Sequence, residues 1–187
     1  MIVQNTKRNV EIIETETKES LNAMRNNFWC FIIILLLGFT SCDSSQVFDE
    51  YKTIPTSWHK DSIISFTVTP PDTTLYYNLF VNVRNTSDYK YSNLFLVVEM
   101  NFPNGRIIKD TLEYVMAKPT GEFLGTGFSD IKENKLWYKE GVVFNEQGDY
   151  NINIQQAMRQ NGSVKGIENL EGITDVGFRI EKTQRKK

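Results

Sequence analysis

Apolar residues recur at every second position along most of this chain, and that period constrains the fold more than any other feature. Tyr150, Ile152 and Ile154 alternate with Asn151, Asn153 and Gln155. The same beat runs through Ile64, Phe66 and Val68, through Tyr77, Leu79, Val81 and Val83, and through Val176, Phe178 and Ile180. Successive strand side chains point to opposite faces, so each segment has one core face and one wet face. Leu94, Leu96, Val98 and Met100 make another such run. Its second face carries Phe95 and Val97 and is half apolar, which suits a central strand. A further run sets Ile108, Asp110, Leu112 and Tyr114 against Ile107, Lys109, Thr111 and Glu113. No stretch beyond residue 42 shows a strong amphipathic helical period. Eight or nine short strands at hairpin spacing predict an all-β fold, an antiparallel β-sandwich of jelly-roll-like or Ig-like type.

Turn chemistry separates the strands. Pro70-Pro71-Asp72 ends one, since proline cannot donate to a ladder. Phe102-Pro103-Asn104-Gly105-Arg106 is the clearest turn. Pro103 and Asn104 suit the centre of a type I turn, and Gly105 then takes the left-handed bulge position. Leu124-Gly125-Thr126-Gly127-Phe128 superficially offers a phosphate loop, but it lacks a third glycine and no helix starts after it. A tight bend or bulge is the expected reading. Val47 to Lys52 is compatible with a first edge strand, and residues 54–60 read as a loop.

Ahead of the strands lies an apolar run at residues 28–39. Its twelve residues reach about 18 Å as a helix, against a bilayer core of about 30 Å. That length, with Arg25 before it and Thr40-Ser41 after it, fits a signal-peptide h-region rather than a membrane span. Phe39-Thr40-Ser41-Cys42 resembles a lipobox, with Phe39 in place of the usual Leu, and makes Cys42 the candidate lipidation site. The expected organisation is a leader at 1–23 (an over-extended start or a disordered segment) and a signal peptide at 24–41. The lipidated cysteine and its tether take 42–52, a sandwich domain 53–182, and a basic tail 183–187. Cys30 falls within the signal and Cys42 carries the lipid, so the domain holds no thiol for a disulfide, zinc site or nucleophile. From Cys42 onward there are 17 basic and 19 acidic residues, without a clustered basic face, which argues against nucleic-acid binding.

Candidates for chemistry are few. His59 is the sole histidine and sits in the expected loop beside Trp58, a setting for a solvated side chain rather than a base or metal ligand. Six carboxylates (Asp110, Glu113, Asp130, Glu133, Glu140 and Asp149) fall on wet faces or turns, except Asp110, which shares a face with apolar residues. Trp58, Trp137 and Tyr138 are large aromatics near loops. With His59 they are the candidate contacts for a protein partner or a sugar ring. The expectation is a protein without enzymatic activity or cofactor, with a carbohydrate-binding envelope module as the alternative.

Several stretches together carry a family resemblance. They are Ser41-Cys42-Asp43, Asp49-Glu50-Tyr51-Lys52, Trp58-His59-Lys60-Asp61-Ser62, Tyr77-Asn78-Leu79-Phe80, Asn93-Leu94-Phe95-Leu96, Phe102-Pro103-Asn104-Gly105, Leu124 to Phe128, Asp130-Ile131-Lys132 and Gly172 to Glu181. In these the chain resembles the gliding motility lipoprotein GldH family of the Bacteroidota. The resemblance implies a small lipid-anchored envelope protein needed for gliding over surfaces. It implies other gliding lipoproteins and type IX secretion components as partners. It brings no catalytic residue, and only Cys42 carries over. A single acid follows the cysteine, where surface-exported lipoproteins of that phylum tend to carry an acidic cluster. The expected location is therefore the periplasmic face of the outer membrane.

Overall fold

The computed structural model describes residues 45–183 apart from Asn161 and Ser163. The expected leader, signal peptide, Cys42 and all but the first residue of the basic tail lie outside the described residues.

Ten strands pair as one nested antiparallel ribbon. Strand β5 (Asn93–Asn101) pairs with β6 (Ile107–Val115) across the tight turn, and β4 (Tyr77–Asn85) pairs with β7 (Lys132–Val142) outside it. Next come β3 (Ile64–Val68) with β8 (Tyr150–Gln156), and β2 (Trp58–His59) with β9 (Asn169–Leu170). The outermost pair is β1 (Gln46–Thr53) with β10 (Ile173–Lys182). Further pairing of β10 with β4 and of β5 with β8 rolls the ribbon into two four-stranded sheets. Sheet 1 has the order β1-β10-β4-β7 and sheet 2 the order β3-β8-β5-β6. This is jelly-roll connectivity, so the expected sandwich is the jelly-roll of the two types. The short β2–β9 pair lies where the ribbon passes from one sheet to the other.

The expected alternation places the core. Leu79, Val81 and Val83 of β4, Leu94, Leu96 and Val98 of β5, Ile152 and Ile154 of β8, and Val176 and Phe178 of β10 are fully buried between the sheets. Phe178 faces Phe48, Phe66 and Tyr138 with ring centroids 6.2 to 6.5 Å apart. The turn after β5 forms as read: Gly105 N–H donates to Phe102 O at 2.9 Å, Phe102 N–H to Arg106 O at 2.8 Å, and Gly105 has φ 85°.

Two expectations need correction. Residues 46–52, assigned to the tether, form β1 and belong to the sandwich. The edge-strand reading of residues 47–52 is the one that holds; the pattern is weak because the inward positions include Glu50 and Lys52, leaving Phe48 as the main apolar anchor. The loop at 54–60 contains β2, and Trp58 within it is a core residue, 1% exposed.

Candidate functional site

The aromatics singled out from sequence do not form one surface. The Trp58 indole is buried and its Nε1 donates to Ser62 O at 3.0 Å. Tyr138 points into the sandwich, where its hydroxyl donates to Asp110 Oδ2 at 2.9 Å. Neither ring is available to a ligand. His59 is half-exposed in β2, where its Nδ1 accepts from Asp61 N–H at 3.2 Å and its Nε2 lies 3.8 Å from Glu168. Trp137 alone is an open platform, 54% exposed on the outer face of sheet 1 and packed on Phe80 with ring centroids 4.5 Å apart. Asp110 is also explained: Tyr138 and Lys139 of β7, the latter at 2.8 Å, take its carboxylate at the rim between the sheets. The carboxyl stays below the usual range because these bonds outweigh its burial, which by itself is the largest influence and acts upward.

The outer face of sheet 1 is a polar network rather than a loosely solvated surface. Tyr51 lies across Gly177, where a Cβ would strike its ring. Its hydroxyl donates to Glu133 Oε1 at 3.0 Å and accepts from Asn82 Nδ2 at 2.9 Å. Arg84 stacks 4.1 Å above the Tyr51 ring and bonds Glu133 Oε2 at 2.9 Å. Beside them Arg179 joins Asp49 at 2.7 Å and Glu181 at 2.5 Å. Burial, and then the hydrogen bond to Glu133, push the Tyr51 hydroxyl up to about 12, while burial pushes Tyr114 to about 12 as well. An unfolded tyrosine ionises near 10, so the folded state binds more protons between about 10 and 12 and loses stability as pH rises through that window. Absorbance titration at 295 nm is expected to show these phenols ionising well above pH 10, with the melting temperature falling over the same range. Tyr51→Phe is expected to remove one of the late-ionising phenols. A normal titration of every tyrosine would refute the network.

Sheet 2 carries a concavity. A groove of about 1250 Å³ opens on its outer face, with Phe95, Val97 and Val115 among its lining. Lys90, Lys118 and Arg159 also line it, against one carboxylate, Glu113. One wall is the segment after β8, held by buried Gln156, whose Nε2 donates to Ile167 O at 2.7 Å and whose Oε1 accepts from Met158 N–H at 2.9 Å. The half-apolar second face of β5 was the sequence signal for this floor. The walls were not legible, because the loops that raise them lie far apart in the chain.

The segment Leu124 to Phe128 is a bend, as expected, but it displays rather than buries its aromatic. Phe128 is 99% exposed. The bend is held by reciprocal bonds between Thr126 and Glu133 and by Ser87 N–H donating to Asp130 Oδ1 at 3.1 Å. Gly127 has φ 149° and its α-carbon faces the Ile131 carbonyl so closely that no Cβ fits. Ser129 takes φ 62°. Such backbone conformations persist only where the surroundings hold them. Among the described residues no group of three or more His, Cys, Asp or Glu could hold a metal.

The described residues form a small jelly-roll domain with a groove on the outer face of sheet 2 and an exposed Phe128. The model for the family described as GldH lipoprotein matches residues 46–180. "Gliding motility lipoprotein GldH homolog" of Christiangramia forsetii is 58% identical over 161 residues, covering 86% of this chain and 99% of that protein. "Gliding motility lipoprotein GldH" of Flavobacterium johnsoniae is 54% identical over 151 residues, covering 79% of this chain and 94% of that one. The chain belongs to the GldH lipoprotein family.

Proposed function

We propose that this protein is a non-enzymatic accessory of the gliding motility machinery, anchored by lipid at Cys42. In this reading it supports type IX secretion through contacts with other envelope proteins at the periplasmic face of the outer membrane. The observation that supports it most is the placement of the contact features relative to the tether. The chain enters the domain at Ser45, beside Lys182 at the start of β1 in sheet 1. The groove opens on the outer face of sheet 2, next to the opposite ends of the strands. Phe128 precedes β7, whose first residue pairs with Asn85, also at the end remote from Ser45. Groove and knob thus both lie at the end of the sandwich remote from Ser45. Exposed aromatics of this kind are typical anchors in protein interfaces.

Deleting the gene is expected to abolish colony spreading and release of type IX cargo, and the wild-type gene to restore both. A Phe128→Asp copy is expected to be made and anchored but to restore neither. Normal spreading and secretion in the deletion strain would sink the reading. Trp137 supports a second reading, a glycan-binding module, since it is an exposed ring on a flat sheet face. With Trp58 and Tyr138 buried it is a single platform, and calorimetry with envelope sugars at millimolar concentration decides it.

A further inference from the structure

The four sheet edges differ in a way that bears on self-association. β3 has five residues and is followed by Pro70. β7 is interrupted by register shifts opposite Tyr77 to Phe80 and ends beside Gly141 at φ 63°, and β1 is irregular between Gln46 and Phe48. Short strands and bulges of this kind blunt an edge. β6 has neither: its nine residues pair with β5 without a shift.

The hydrogen bonds at the two ends of this hairpin fix which backbone groups of β6 are free. Phe102 N–H donates to Arg106 O, and Met116 N–H to Ser92 O. With that register, Ile108, Asp110, Leu112 and Tyr114 bond across to β5. The N–H and C=O groups of Ile107, Lys109, Thr111, Glu113 and Val115 point away from the sheet, and no described strand pairs with them. The same five side chains are all exposed, Ile107 at 59% and Val115 at 65%. Asp110, the inward charge on this edge, is already bound by Tyr138 and Lys139 of the other sheet.

An unpaired row of this kind fits an extended strand, and the order of the five residues selects which one. Read outward from Thr111, the sequence is Lys109 and Ile107 on one side, Glu113 and Val115 on the other. We propose that two copies of this chain associate through β6, antiparallel about a two-fold axis at Thr111. Lys109 then opposes Glu113 of the second copy, Ile107 opposes Val115, and Thr111 opposes itself. Each is a favourable cross-strand pair, and each of the five residues exchanges both backbone hydrogen bonds with its opposite. Centring the pair on Lys109 or on Glu113 sets like charges together. The intermediate registers set Lys109 against Thr111 or Val115. The charge pattern therefore specifies both the occupant and the register. Such an interface is isologous, as two-fold dimers require. An axis normal to the sheet keeps both grooves on one side and both Ser45 tethers on the other. Two lipid-held copies are confined to one surface, which raises their effective concentration.

The test uses the full chain in native membranes. The sequence has no cysteine after Cys42, so Thr111→Cys supplies a single thiol in the domain. With a short bis-maleimide it is expected to give a covalent species of twice the mass, whereas Thr67→Cys on β3 is not. Adding Lys109→Glu makes two like-charge pairs and is expected to lower the yield about tenfold. Adding Glu113→Lys to that variant is expected to restore it. Lys109 lies 3.7 Å from Glu99 in its own copy, a contact the second change does not mend, so recovery reports the pairing between copies. No double-mass species at Thr111→Cys, an equal yield at Thr67→Cys, cross-linking only to a different protein, or no recovery in the reversed pair would each overturn the proposal. The gene-deletion phenotype is untouched by any of these outcomes.

Discussion

Replacing Cys42 with alanine is expected to leave the domain folded and to move the protein from the membrane to the soluble fraction. The fold is expected not to need the cysteine: among the described residues, which start at Ser45, the first to join the core is Val47. Membrane attachment, in the proposed reading, does need it. Stable anchoring requires more than one acyl chain, and the lipobox reading places these on Cys42. The apolar run at 28–39 does not substitute, because about 18 Å of helix falls well short of a core of about 30 Å. Fractionation followed by a carbonate wash checks this, with the melting temperature as the control for folding. Retention of the variant in washed membranes would show that something other than the cysteine holds the protein.

Phe178→Ala is expected to be the most damaging change inside the domain. Its ring is fully buried on β10, which lies between β1 and β4. It meets Phe66 from sheet 2, Tyr138 from β7 and Phe48 from β1, so one side chain joins both sheets and the edge strand. Truncating a buried phenylalanine costs about 3–5 kcal/mol, because the cavity adds to the lost transfer energy. That is a large part of the total stability of an ordinary domain, roughly 5–15 kcal/mol. Thermal unfolding is expected to drop by roughly 10–20 °C. Trp137→Ala, on the open outer face, is expected to cost far less. Similar losses at the two positions would mean that the core is not where Phe178 places it.

The alternation in β3, β4, β5, β6, β8 and β10 was legible because each strand sets its core-facing residues two apart, and such a period survives without any knowledge of neighbours. The turn at Pro103 to Gly105 was legible for a similar reason, since its conformation is decided locally. Asp110 was visible only as an anomaly. Its partners, Tyr138 and Lys139, lie on a strand of the other sheet, and no local rule brings them together. Trp58 was misread because Pro55, Ser57 and His59 around it look like a loop. It is buried by the two-residue pairing with Asn169 and Leu170, more than a hundred positions away. Glu133 was legible only as one of six wet carboxylates, and its link to Tyr51, Asn82 and Arg84 was missed, since their network spans three strands from distant parts of the chain. Sequence periodicity thus reports the face of a strand well and the identity of its neighbours poorly.

The nested ribbon also has a consequence in time. β10 is the last of the described strands to be made, yet it sits between β1 and β4 and supplies Val176, Phe178 and Ile180 to the core. A chain that leaves the cytoplasm amino end first has β1 outside early, with nothing to pair with until residues 173–182 follow. Sheet 1 cannot close before that, because β10 is the strand that joins β1 to β4. Pairings this distant in sequence also form slowly. The first strand out waits for the last.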